Sequence, residues 1–543
     1  MQKIYFTLAV GLLFLAGSLQ AQTRYLDPMF DVSEPEVVPY AQNFNLAFGM
    51  VTPLTADVYQ PEEDTASLRP VVVLFHTGNF LPRYFNGSAY GGKDDSVNVE
   101  ILSRLVQRGY VGMSAGYRAG WQPLADNQSI RTGSLLQAVY RASQDAHAMA
   151  RFLRKTVAED DNPYRIDTSR IVFYGIGSGG YLVQAHNFLD NTDQILLNEQ
   201  FYDADGNSLI DVSSISNVEG TVETPRNVVN HPGYSSDVAL TVNLGGALGD
   251  SLWIDGADNE APFIACHSAT DPFAPFYYGL VTVPTNPPRA VVNVPGSNLV
   301  IDICNEEGVN DVLAPANVLP LPDIFSPLSN QVNGIVNAYK NVPFQSPIAG
   351  SSDDVFPLGR DNLWTILRTG AAAGSSGATG STWNWFDEPR LRAIVANINQ
   401  QVPTANIDVD RIIAGEGLTN PNFRNPAAAK AEIDTIMAHF YPRAWYALGL
   451  EDLISSNNDI VLNETVGFTV TPNPVSDRML LETDATHPIR QVSIIDMSGR
   501  VVANYRGINQ SSFTVQRNDL PRGSYLVRLQ LDEGISTRKV IFR

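Results

Sequence analysis

The chain has 543 residues, with 36 Lys and Arg against 57 Asp and Glu, a formal net charge of −21. That acidic balance excludes binding nucleic acid or an anionic membrane through bulk charge. Apolar residues make up 44% and charged residues 17%, enough to bury a large core. Two Cys cannot build a disulfide framework or a cysteine-rich zinc site. With only 7 His, any imidazole chemistry must come from a few positions.

Residues 1–21 (MQKIYFTLAVGLLFLAGSLQA) carry one early Lys, an apolar run of about eleven residues and a small-residue exit. This run is too short to span a bilayer and has the form of a cleaved secretory signal. No later segment has 18 consecutive apolar residues, so no transmembrane span is expected. Export permits a Cys266–Cys304 disulfide, but the sequence leaves that pairing open.

From about residue 45 to 450, apolar strand-like runs alternate with helical patterns, which points to an α/β fold with a mostly parallel sheet. Strands are expected at 70–75 (PVVVLF), 110–115, 171–174, 238–244 and 262–266. Helices are expected at 99–107, 134–155, 181–189 and 427–448. The second of these carries Ala138, Ala142, Ala146, Ala148 and Ala150, small enough for close packing on a sheet. The stretch 369–382 (TGAAAGSSGATGST) has the composition of a loop too poor in apolar side chains to pack.

Several of these segments together resemble the α/β-hydrolase family, in particular secreted carboxylesterase and feruloyl-esterase-like members. The resemblance rests on 56–61 (ADVYQP), Gly109 to Val111 with Tyr117 and Arg118, 140–145 (YRASQD), 166–170 (IDTSR), 271–275 (DPFAP) and 440–443 (FYPR). It covers residues 50–280 and the last helix, and leaves 315–425 as a long insertion inside a domain expected over 22–452. Such hydrolases use a nucleophile on a strand-to-helix elbow of form G-x-S-x-G, then an acid, then a His. The His is needed because an unassisted hydroxyl is a poor nucleophile.

The resemblance places an oxyanion-type loop at His76, Thr77 and Gly78, with Thr77 departing from the usual Gly, and an acid at Asp271. A turn-initiating role before Pro272 is the other reading of Asp271. The elbow falls on residues 175–179 (GIGSG), so its nucleophile position is Gly177. The alternative register makes Ser178 the nucleophile but puts branched Ile176 where a small residue is required. After Asp271 the next His is His439, inside the expected final helix. The favoured reading is therefore a hydrolase scaffold that has lost nucleophile and base. It would bind a small ester, carboxylate or carbohydrate ligand in a pocket formed by His76, Thr77, Gly78 and Ser178. The alternative is an active serine carboxylesterase using Ser178 and Asp271. No metal or cofactor is expected.

Three weaker signals remain. Gly175, Gly177 and Gly180 also fit a dinucleotide fingerprint, but no second strand ends in a suitably spaced acid. Residues 203–207 (DADGN) have the composition of a calcium loop, but Phe201 and Val212 fall at ligand positions, which favours a hairpin turn. Trp383 and Trp385, with Trp364 upstream, suit an aromatic cleft or the core.

Residues 453–467 contain a polar break suited to a linker, and short alternating runs beyond it predict a small all-β module. The segments 471–475 (TPNPV), 495–501 (IDMSGRV), 520–527 (LPRGSYLV) and 539–543 (KVIFR) resemble the C-terminal sorting domain of type IX secretion substrates. That resemblance, over 468–543, implies export by the type IX machinery of a Bacteroidota-type bacterium, to a secreted or surface-attached state.

Overall fold

The structure is a computed structural model that describes residues 23–46, 48–451, 453, 466–496, 501–517, 520–531 and 534–543. The expected signal segment and most of the expected linker lie outside the described residues. Chain contacts divide at Leu448 and Gly449 into two compact units.

The first unit is built on an eight-stranded sheet. In chain order its strands are β1 (Glu36–Asn45), β2 (Met50–Tyr59), β3 (Arg69–Phe75), β4 (Val111–Ala115), β5 (Ile166–Ile176), β6 (Leu240–Leu244) and β7 (Phe263–Ser268). A hairpin of β8 (Tyr278–Val283) and β9 (Arg289–Pro295) follows, and β10 (Leu363–Ile366) completes the sheet. The spatial order is β1-β2-β4-β3-β5-β6-β7-β10. The first two strands pair antiparallel, β2 pairs antiparallel with β4, and the rest run parallel. This is the α/β-hydrolase architecture with a mostly parallel sheet.

Strand β3 is buried at all 7 positions, as a Val-rich strand covered on both faces should be. Its helices are α1 (Ser96–Val106), α2 (Gln128–Glu159) and α3 (Ser178–Phe188). Ala138, Ala142, Ala146 and Ala150 of α2 are fully buried, so four small residues one turn apart let this helix approach the sheet. The Asn127 side chain caps α2, accepting from Ser129 N at 2.7 Å. Register aligns Phe75 with Gly175, Gly175 with Asn243 and Asn243 with Ala265. The loops after β3, β5, β6 and β7 therefore leave from one edge of the sheet, where parallel α/β sheets place ligands.

Residues beyond β9 form α4 (Ser297–Glu306), α5 (Pro327–Tyr339), α6 (Glu388–Gln401), α7 (Val409–Thr419) and α8 (Pro426–Ala447). Part of the expected insertion belongs to the central sheet, because Leu363 to Ile366 pair with Ala265 to Ser268. The stretch 369–382 is a loop, as expected, but part of it packs: residues 373–374, 379–380 and 382 are buried while 369–372 and 375–377 are exposed. Ser375 N and Ser376 N donate to Gly417 O and Leu418 O, and Thr379 and Thr382 are fully buried. Small residues here bring backbone against backbone: a Cβ on Gly374 would lie 2.3 Å from Leu418 O. Cys266 and Cys304 are both buried free thiols, so the permitted disulfide is not formed. The 203–207 segment is a hairpin turn, with Asp203 Oδ1 accepting from Asp205 N and Asn207 N.

The second unit is all-β. One sheet orders β11 (Thr469–Thr471), β12 (Arg478–Glu482) and β15 (Ser512–Gln516); the other orders β14 (Val501–Gln510), β13 (Ile489–Asp496), β16 (Gly523–Gln530) and β17 (Ile535–Phe542). Tyr525, Val527 and Leu529 are buried at alternate positions of β16 and join Val492, Val540 and Phe542 in one core. The Asn473 turn is tied to the last strand: its Nδ2 donates to Lys539 O at 3.0 Å and its Oδ1 accepts from Ile541 N at 3.0 Å.

Candidate active site

The turn from β5 into α3 is the centre of the site. Gly177 stands between them at φ 54° and ψ −115°, a conformation that costs a residue with a side chain about 1–3 kcal/mol. The elbow geometry falls on Gly177, and Ser178 is the first residue of the helix. Space is tight on both sides. A Cβ on Gly175 would lie 2.2 Å from Gly179 O, and one on Gly179 would lie 2.1 Å from Phe75 O. The glycines two before and two after position 177 are thus required by close backbone approach.

The loop after β3 lies against this elbow. Thr77 Oγ1 lies 2.3 Å, and Thr77 Cβ 3.1 Å, from the point that a Cβ on Gly177 would occupy. The space of an elbow side chain is filled by the residue that departs from glycine in the oxyanion-type loop. His76 stacks on Tyr117 with ring centroids 4.6 Å apart, and its Nδ1 meets Thr77 O. Burial, only partly offset by the Thr77 carbonyl contact, pushes the His76 imidazole down to about 4, so it is neutral at pH 7. Gly78 carries φ 141° and packs on Gly91, where a Cβ would meet Cα at 3.0 Å.

Ser178 is buried, and its Oγ lies 2.8 Å from Tyr117 Oη. Tyr117 gives its one proton to His76 O at 2.9 Å, so Ser178 donates to the phenol oxygen. A phenol is a poor acceptor for activating a hydroxyl, and burial pushes the Tyr117 group further up. Tyr117 is held by its neighbour: Arg118 Nε and N donate to Asp145 Oδ1 and Oδ2, both at 2.8 Å, in a fully buried pair.

Asp271 sits in the loop after β7 and is buried. Its Oδ1 accepts from Phe273 N at 2.7 Å and Ala274 N at 3.2 Å, the bonding of a turn-initiating Asp. The imidazole beside it is His267, whose Nε2 is 3.6 Å from Asp271 Oδ2 and whose Nδ1 is 2.7 Å from Ser297 Oγ. Ser297 and His267 are fully buried. His439 lies in α8, fully buried against the Asn362 main chain. Asn362 precedes β10 at its entry end, whereas Asp271 lies beyond the exit end of neighbouring β7.

Of two further side chains at the site, Trp383 had only an ambiguous sequence signal and Tyr181 had none. Trp383, almost wholly buried, lays its ring edge on Gly245, where a Cβ would meet Cη2 at 3.1 Å and Asp271 Oδ2 at 3.8 Å. The Tyr181 ring, one turn into α3, lines an apolar crevice with Leu135, Val139, Ala247, Trp253 and Val294. Trp364 is buried in β10, and Trp385 is half-buried with Lys430 Nζ over its ring at 5.8 Å. Among the described residues no group of three His, Cys, Asp or Glu is placed to hold a metal. No helix of the described residues is long and apolar enough to cross a membrane.

Two family models match parts of the chain. Residues 56–247 match the BD-FAE family model, and residues 469–543 match the secretion system C-terminal sorting domain. No curated protein matches the chain. Among solved structures, Thermogutta terrifontis esterase 2 phosphorylated by paraoxon is 18% identical over 45% of this chain and 74% of its own, with a TM-score of 0.27. The propionate-bound esterase from the same Planctomycetes species is 17% identical over 45% and 75%, with a TM-score of 0.28. The sorting domain directs type IX export to a secreted or cell-surface location and engages the type IX machinery. Residues 56–247 are thus an esterase-like α/β-hydrolase region similar to the BD-FAE family, and residues 469–543 match the secretion system C-terminal sorting domain.

Proposed function

We propose that this protein is an exported, non-catalytic binding member of the esterase-like hydrolases, its leader being a signal peptide cleaved after residue 21 and its source a Bacteroidota-type bacterium. The observation that carries the reading is Thr77 Oγ1, 2.3 Å from where a Gly177 Cβ would stand. In this reading Gly177 carries no nucleophile, and a side chain there would have to displace the Thr77 hydroxyl. Base chemistry is equally unsupported: His267 is sealed against Ser297, and His439 is in the helical core. The elbow's helix N-terminus and the loop at His76, Thr77 and Gly78 remain as a recognition surface.

The rival reading, an active esterase using Ser178 and Asp271, requires Ser178 to leave Tyr117 and find a base. Assay of the exported protein against p-nitrophenyl acetate and butyrate, with a fluorophosphonate label, separates the two. No turnover above the solvent rate and no label is the expected result. Stoichiometric labelling of Ser178 would overturn the proposal.

A further inference from the structure

Residues 216–237, between α3 and β6, meet His147 of α2, His186 of α3 and the outer edge of β1, the first strand of the sheet. At that edge Gln42 N donates to Asn230 Oδ1 at 3.0 Å, and Asn230 Nδ2 donates to Gln42 O at 2.9 Å. Val228 N donates to Asn43 Oδ1 at 3.0 Å, and His231 Nε2 donates to Tyr40 O at 2.6 Å. The segment thus caps main-chain groups that an edge strand otherwise offers to another strand.

The far end of the segment lies on His147 and His186, which are 4% and 7% exposed with ring centroids 4.3 Å apart. Ser236 O accepts from His186 Nε2 at 3.1 Å. Ser236 Oγ lies 2.8 Å from Glu219 Oε2 and 3.0 Å from His147 Nδ1. An ionised carboxylate only accepts, so the Ser236 hydroxyl donates to Glu219 and His147 Nδ1–H donates to Ser236. Each neutral ring thus has its one proton committed. The nitrogens left over, His147 Nε2 and His186 Nδ1, are buried and without a partner among the described residues. A further proton on either would find no acceptor, and one on each would set two like charges ring against ring. The charged groups facing the pair are Arg151 from α2 and Glu219 and Asp237 from the segment, while β5 presents the Phe173 ring. Glu219 Oε2 is already held by Arg151 Nη1 at 2.8 Å. His231 is half-buried beside Phe152 and faces Arg151, Lys155 and Glu159 of α2. Its Nε2–H bond survives protonation, so it is a tether and not a trigger.

We infer that residues 216–237 are an acid-released strap: proton uptake by His147 and His186 requires the segment to lift from α2 and α3, and its lifting uncovers the outer edge of β1 at Tyr40 and Gln42. The closed strap binds neither extra proton and the open one binds both. Opening therefore grows as pH falls below about 6.5, by up to about tenfold per pH unit for each ring and about hundredfold for the two. The strap works in the same way whether or not the elbow is catalytic.

Hydrogen exchange of the full exported chain, read by mass spectrometry from about pH 7 to 4.5 and corrected for the intrinsic exchange rate, follows such openings directly. Peptides over 216–237 and 38–44 should lose protection together as pH falls, while peptides of β3 and β5 keep theirs. His147→Asn and His186→Gln each keep an N–H near the bonded position and remove the titration. Each single variant should show a slope of about tenfold per pH unit, and the double variant should show none. His231→Gln, which retains the donor to Tyr40 O, should leave the slope as it is. Unchanged protection of 216–237 across the range in the unmodified chain overturns the strap, and so does loss of protection in β3 and β5 at the same pH. A double variant that keeps the full pH response overturns it as well. The unmodified chain decides the question even where a variant folds poorly.

Discussion

Thr77 and Gly177 occupy one space: the threonine hydroxyl lies 2.3 Å from the point where a side chain on Gly177 would begin. A serine cannot be restored at 177 without moving Thr77. Gly177→Ser should lower unfolding stability by about 1–3 kcal/mol through overpacking, with a similar cost for a side chain in this φ/ψ region. Adding Thr77→Gly should recover the overpacking part alone. Urea denaturation of both variants measures this; unchanged stability in the single variant would contradict the packing described. Neither variant should hydrolyse p-nitrophenyl esters, because His267 and His439 are fully buried and His76 Nδ1 is engaged by Thr77 O.

The Arg118–Asp145 pair supports Tyr117 and, through it, Ser178. Both charges are fully buried, and burial raises the Asp145 carboxyl despite its arginine partner. Removing one partner leaves an uncompensated charge, so Asp145→Ala should cost about 3–5 kcal/mol. Replacing both with Leu and Met should cost much less. Denaturant midpoints of the single and double variants test the difference.

The His147 and His186 rings pack between α2 and α3 with centroids 4.3 Å apart and a 37° tilt, beside Ser236, Glu219 and Arg151. Burial pushes His147 down to about 3 and His186 well below its usual value. Both are neutral when folded, whereas the unfolded chain protonates them near pH 6.5. Folding stability is therefore full above about pH 6.5 and falls as pH drops from there toward 3. His147→Gln should reduce the slope of stability against pH between 6 and 4 by up to about 1.4 kcal/mol per pH unit. An unchanged slope would place the acid sensitivity elsewhere.

In the sorting domain, Asn473 ties the turn at 471–475 to the final strand through two bonds of 3.0 Å. Deleting residues 539–543 removes that anchor and the buried Val540 and Phe542. Cell fractionation should then find the protein retained behind the outer membrane, while Asn473→Ala should give partial retention. Normal export of the deletion would dissociate the motif from sorting.

Much of the fold is legible in local pattern. The run at 70–75 reads as a buried strand because β-branched residues with no polar alternation suit a strand covered on both faces. The helix at 134–155 reads from its alanine spacing, although it extends from Gln128 to Glu159. The buried part of 369–382 was not legible: small residues give no hydrophobic signal, and the segment is held by backbone bonds to α7. Trp383 was equally ambiguous, since an aromatic in an insertion has no address until the chain folds back on Gly245.

The histidine count and the glycine at position 177 are properties of the sequence, as is the departure of Thr77 from glycine. Which residue stands at position 177 can be read from one line of residues, because the elbow is a single short segment. That Thr77 fills the elbow, that His267 turns to Ser297, and that Trp383 packs on Gly245 were decided by tertiary structure alone. These are contacts across tens to hundreds of residues, set by the register of four parallel strands ending at one edge, and no local periodicity encodes them.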